Sequence, residues 1–214
     1  CTDVFFDYAT RFIDKVKDED KPFFVYLCTN APHGPMHAPK YYGDMYRDLN
    51  PKLANFYGMI TNIDDAVGRL RSHLKTNGLE DDTIFIFTTD NGSSSGARTF
   101  NDGMRGQKGS EYDGGHRVPF FVHYPKGGLT GGRDVDMITS YVDIVPTLIS
   151  YCDVPAPKGV KFDGVNIRPL WEGRDVDWSD RILVTDSQRV RDPIKWRKSA
   201  VMTDQWRLIN GKEL

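Results

Sequence analysis

The chain of 214 residues has little of what would assign it a function wholesale. Its three cysteines, Cys1, Cys28 and Cys152, cannot all pair with one another, and none has zinc-site spacing, so they read as buried or incidental thiols. No apolar run approaches the roughly 18 residues of a membrane span. Neither sign of charge dominates: 28 basic against 30 acidic residues leave −2, which gives no reason to expect nucleic acid as a partner. Repeats and low-complexity tracts are missing. With 39% apolar residues and 20 glycines the composition is globular, which excludes a disordered tail, a collagen-like repeat and a coiled coil. The length fits one domain or slightly more. The first residue is not methionine and no signal-like segment follows it, so a fragment is expected. The ending Gly211-Lys212-Glu213-Leu214 is not the recognised retention signal.

What is present is a succession of periodic segments. Val4, Phe5, Tyr8, Phe12, Ile13 and Val16 predict a helix over residues 3–17. The continuous apolar run Pro22 to Cys28 predicts a strand buried on both faces. A long helical stripe from Leu53 to Leu74 stops at Asn77-Gly78, where glycine suits the left-handed cap. Strands are predicted at 83–89 and 118–124, and a short strand leading into a helix over 136–152, with Pro146 near the helix start. The tail predicts strands at 181–185, 199–203 and 206–210, the last two joined by a tight hairpin at Asp204-Gln205. This strand–helix–strand order indicates an α/β fold with a mixed sheet sandwiched by helices.

Three short segments carry chemistry. Thr88-Thr89-Asp90-Asn91-Gly92 closes a predicted strand, where ligands of open α/β sheets collect. Asp90 and Asn91 offer hard oxygen donors suited to calcium or magnesium, although two donors are fewer than calcium takes, and Asp-Asn-Gly is also ordinary turn chemistry. His33 lies in the proline-rich loop Asn30-Ala31-Pro32-His33-Gly34-Pro35 and could protonate a leaving group, with His37 a weaker candidate; His73 and His123 read as structural. The glycine-rich stretch 90–117, too long for a plain loop, places Arg105 and Lys108 where they could hold an oxyanion.

Each signal is weak alone, but their order and flanking residues resemble the sulfatase family of the alkaline phosphatase superfamily. The likeness runs from Asn30-Ala31-Pro32-His33-Gly34-Pro35 through the helix Tyr57 to Leu70, Thr89-Asp90-Asn91-Gly92, Arg105-Gly106-Gln107-Lys108 and Gly114-Gly115-His116-Arg117-Val118-Pro119 to Tyr141-Val142-Asp143-Ile144-Val145-Pro146-Thr147-Leu148. The resemblance implies that Asp90 and Asn91 are two ligands of an active-site Ca2+ (Mg2+ is the other possibility), that His33 contacts the sulfate ester and assists the leaving alcohol, and that Lys108 holds a sulfate oxygen, with Arg105 also substrate-binding. Asp113 stands where the family more usually has glutamate and is expected to shape its loop; Arg117 is expected to brace it.

The resemblance also implies a formylglycine nucleophile, made from a Cys/Ser-x-Pro/Ala-x-Arg motif that no cysteine or serine of this chain supplies. In the family that motif lies N-terminal to everything matched here. The expectation is therefore a sulfuric ester hydrolase acting on sulfated carbohydrates or aryl sulfates and exported from the cytoplasm. Residues 1–180 would give the later part of the large α/β domain and 181–214 the start of a smaller subdomain. The N-terminal remainder of the same protein is then a partner, and the fragment alone is inactive and exposes apolar sheet surface. The alternatives are a phosphomonoester, phosphodiester or phosphonate hydrolase of the same superfamily, and a non-catalytic module binding sulfated glycans.

Overall fold

The computed structural model describes all 214 residues, and they form two compact units. The first comprises Cys1–Thr83 with Ser94–Phe100; the second comprises Ile84–Ser93 with Asn101–Leu214.

The first unit is helical. Helix α1 (Thr2–Val16) forms where the spacing predicts it, but it turns Phe6, Ala9 and Ile13 inward and leaves Val4, Tyr8 and Phe12 of the predicted stripe exposed. It packs on the long helix α3 (Pro51–Thr76), which buries Ala54, Phe56, Met59, Ala66, Leu70 and Leu74. The start of α3 is chemically marked: the Asn50 side chain accepts from the Leu53 amide at 3.1 Å, and Pro51 occupies the first helical position, where no amide is needed. Its end is marked too, by Gly78 at φ +68°. His73 Nε2 meets Asp14 Oδ1 at 2.9 Å and ties α3 to α1, a structural role as expected. The short helix α2 (Lys40–Asp44) also packs on α3 and was not visible in the sequence pattern.

The run Pro22–Cys28 is a correction. It alternates half-buried and exposed residues and belongs to no ladder, with Phe24 76% exposed. Apolar content alone does not make a strand; cross-strand hydrogen bonds do. The three cysteines are exposed and free, which fits the incidental rather than the buried reading.

In the second unit β1 (Phe85–Thr88) pairs antiparallel with β2 (Phe120–His123), Ile86 opposite Val122 and Thr88 opposite Phe120. Between these strands lies the one-turn helix α4 (Asp113–His116). One sheet face, through Ile86, Phe120 and Val122, packs on a core of Leu129, Ile167, Leu170 and Trp171. Helices α5 (Ile144–Cys152) and α6 (Arg168–Trp171) supply the cover, with Tyr151 stacked on Trp171 at 5.6 Å between ring centres. Pro146 sits in the first turn of α5, where it breaks no hydrogen bond. The short strand expected ahead of α5 is not formed: residues 136–140 are irregular and lead into a 3-10 turn, Tyr141–Asp143. Strands β3 (Leu183–Asp186), β4 (Ser199–Met202) and β5 (Arg207–Ile209) form an antiparallel sheet in which Met202 pairs with both Leu183 and Arg207. Helices and sheets together bear out the α/β class.

Candidate active site

The turn after β1 is where the second unit gathers its chemistry. The Asp90 side chain is exposed and that of Asn91 half-buried, and neither makes a hydrogen bond within the chain. Gly92 donates to the Gly115 carbonyl at 3.0 Å, the Lys108 amide donates to the Ser93 carbonyl at 3.1 Å, and the Gly114 amide donates to the Arg105 carbonyl at 2.8 Å. Three motifs spread over residues 89–117 are thus stitched backbone to backbone. The stitching needs glycine. A Cβ at Gly92 would overlap the Gly114 carbonyl, and one at Gly115 the Ser110 carbonyl. What reads as a long loop in sequence is therefore an ordered cradle.

Lys108 is half-buried and its ammonium has no carboxylate partner, so it is available to an anion. Arg105 differs. It pairs with Glu213, its guanidinium lies 3.8 Å from the Tyr112 ring centre, and the Tyr112 hydroxyl donates to Glu213 at 2.9 Å. Its charge is thus already engaged within the chain. His33 belongs to the first unit, exposed on its loop between the cis peptides Ala31–Pro32 and Gly34–Pro35. Its Nδ1 lies 2.9 Å from the Gly34 carbonyl, a distance that fits Nδ1–H donating and leaves Nε2 open. His37 is exposed in the same loop.

Several contributing residues escape a sequence reading. Tyr141 donates to the Thr89 carbonyl and meets the Thr88 hydroxyl at 3.1 Å, clamping the end of β1 just before Asp90. Burial, and then the nearby Asp90 charge, raise its phenol above the usual value. Asp113 is a loop-shaping contact, as expected, but its partner is Arg207. Arg117, expected to brace the loop, is exposed and unpaired; Arg207 does the bracing from β5, reaching Asp113, His116 Nε2 at 3.1 Å and the Glu111 carbonyl at 3.5 Å. Asn210 adds a bond to Glu111 at 2.6 Å.

Accepting from Arg207 requires a neutral His116, and burial, with the Arg207 charge second, lowers its pKa against the opposing pull of Asp113. The unfolded chain then binds the proton that the folded chain refuses. Stability from this site is complete above about pH 6.5 and declines as pH falls below it. The stability advantage of the parent over His116→Gln should accordingly shrink between pH 7.5 and 5.5, above the carboxylate range, in paired denaturant titrations. An advantage constant with pH would show that His116 does not titrate differently on folding.

No group of three or more His, Cys, Asp or Glu side chains is placed to hold a metal ion. Asp90 and Asn91 fit a hard cation as part of a larger donor set, being oxygen donors with no competing partner.

Comparison with known proteins places the chain in a family. A sulfatase family model matches residues 1–154. The chain is 36% identical over 166 residues to an uncharacterized sulfatase, YdeN, of Escherichia coli, covering 76% of this chain and 29% of that protein. It is 31% identical over 203 residues to an arylsulfatase of Clostridium perfringens, covering 78% and 41%. The crystal structure of Ps i-CgsB in complex with k-i-k-neocarrahexaose superposes with a TM-score of 0.85 at 29% identity, covering 96% of this chain and 45% of that one. The chain thus spans less than half the length of these relatives. With a family match over most of its length and sulfatases among its relatives, the chain belongs to the sulfatase family.

Proposed function

We propose that the protein carrying this chain is a sulfuric ester hydrolase acting on sulfated carbohydrates, with aryl sulfates as small surrogates. The observation that carries this reading is the cradle of the second unit: Asp90, Asn91 and Lys108, none engaged by a protein partner, on backbone segments held together by the Gly92–Gly115 and Ser93–Lys108 bonds. Asp90 and Asn91 would supply two oxygen ligands to calcium, or less favourably magnesium, the rest coming from outside this chain. When bound, such a cation stabilises negative charge on the transferring sulfuryl group.

Lys108 holds one sulfate oxygen by a charge-assisted hydrogen bond, and its main-chain bond to Ser93 fixes where the side chain starts. His33 hands a proton from Nε2 to the departing alcohol oxygen; the Gly34 carbonyl sets the ring. Arg105, engaged by Glu213, supports the Lys108 segment and meets the ester only if it leaves that partner. The nucleophile is a formylglycine on a residue outside this chain. A related structure bound to an oligosaccharide supports a carbohydrate substrate, and the family's usual setting supports export. Residues 181–214 would begin the smaller subdomain, with Ala200, Met202 and Ile209 centring a hydrophobic cluster against which Leu183 and Tyr112 pack.

The intact protein should hydrolyse an aryl sulfate in the presence of calcium and lose that activity to a chelator, and mass spectrometry should find formylglycine in it. The 214 residues alone should give no turnover above background. Hydrolysis of phosphate esters in clear preference to sulfate esters would favour the phosphohydrolase alternative instead, and an intact protein that binds sulfated glycans but cleaves none would favour the binding module.

A further inference from the structure

We propose that the β3–β4 loop, residues 187–198, is a subsite for the neighbouring sulfate groups of a multiply sulfated oligosaccharide; the inference rests on the sulfatase reading above. Arg189, Arg191, Lys195, Arg197 and Lys198 face a single carboxylate within the loop, Asp192, in a chain whose formal charge is −2. All five cations are exposed, and none is neutralised by an ion pair. Such a field in an otherwise balanced chain is electrostatic complementarity to a polyanion.

The loop is built rather than slack. Gln188 grips Ile194 from both sides, accepting from its amide at 2.8 Å and donating to its carbonyl at 3.0 Å. Gln188 also engages Asp186, through its amide and its side chain, each at 2.8 Å, which occupies the carboxylate at the loop's base. The Ser187 amide closes the loop on the Lys198 carbonyl at 3.0 Å. Trp196 lies against Gly211, where any Cβ would crowd the indole, and is still 42% exposed, with the Lys195 ammonium 5.5 Å from its ring centre. An open indole face beside an ammonium suits a sugar ring carrying a sulfate.

The loop's position links it to the chemistry. The Ser187 hydroxyl donates to the Gly109 carbonyl at 2.8 Å, one residue after Lys108. A sulfate held at Lys108 therefore places the next sugars of a polymer toward these cations, whereas a single aryl sulfate has nothing to offer them. That adjacency favours a sulfated glycan over a nucleic acid.

The test compares the intact protein with its Arg189→Ser/Arg191→Ser/Arg197→Ser variant. Calorimetry would use a dextran sulfate oligosaccharide, unsulfated dextran of equal length and a single-stranded DNA of equal charge, beside turnover of nitrophenyl sulfate. The variant should bind dextran sulfate about tenfold more weakly with a shallower salt dependence. Its kcat and KM for nitrophenyl sulfate should stay within about twofold, because these side chains lie outside the catalytic set. Unchanged dextran sulfate affinity overturns the proposal, as does DNA binding as tight as dextran sulfate and equally weakened. An intact protein that turns over no sulfate ester at all defeats the sulfatase reading, while the binding comparison still reports on the loop.

Discussion

Asp143→Ala should destabilise the intact protein by about 3–5 kcal/mol, the cost of stranding a buried charge. Asp143 is fully buried, and Arg181, 12% exposed, meets both of its oxygens at 2.6 and 2.7 Å. The same carboxylate accepts the Ser140 amide at 2.8 Å and the Val165 amide at 2.9 Å. Its main-chain carbonyl accepts the Thr147 hydroxyl, which in turn accepts the Ile167 amide at 2.9 Å. One side chain therefore caps the turn into α5 and fastens the segment entering α6 to the start of β3. Removing it leaves the guanidinium without a counter-charge and two amides without acceptors. Asp143→Leu combined with Arg181→Met should lose much less than Asp143→Ala, because the uncompensated charge goes with its partner. Denaturant midpoints for the three proteins decide the matter. A loss under about 1 kcal/mol in the single variant would show that water reaches Arg181 and compensates it.

How much of this was legible beforehand depended on the range of the interaction. The helices α1 and α3 announce themselves because an amphipathic stripe and a cap are local facts: Asn50-Pro51 and Gly78 mark α3 within a few residues of its ends. Helices α2 and α6, of five and four residues, are too short to show a period. The run Pro22–Cys28 carries a strand's composition without a strand's pairing, which no local pattern can report. Asp90, Asn91 and Lys108 stand out in sequence because their motifs are contiguous. Their mutual placement does not, since backbone amides and carbonyls carry no residue signature beyond the glycines that let them meet. Long-range charge pairs are the least legible. Arg105 reads as a cation free for an oxyanion until Glu213, 108 residues on, is seen to engage it. Arg117 reads as the brace until Arg207 is seen in that place.

Gly92→Ala should lower turnover of an aryl sulfate by the intact protein about 100-fold or more, the scale on which an ångström of misplacement acts. The added Cβ would sit on the Gly114 carbonyl oxygen and close to the Gly115 carbonyl carbon, both backbone groups that cannot rotate aside. Relief requires the two segments to part, which breaks the Gly92–Gly115 hydrogen bond. Asp90 and Asn91 lie immediately before that bond and Ser93, which holds the Lys108 amide, immediately after it. The displacement therefore reaches both proposed metal ligands and the proposed sulfate-binding lysine together, so calcium should bind more weakly as activity falls. Gly68→Ala is the matched control. It lies in the interior of α3 with nothing within 4 Å of its added Cβ, so it should leave turnover unchanged and stabilise the helix by about 0.5–1 kcal/mol. Turnover by Gly92→Ala within about threefold of the parent, with calcium affinity intact, would separate the close approach of Gly92 from the chemistry and return the Asp90–Asn91 pair to an ordinary turn.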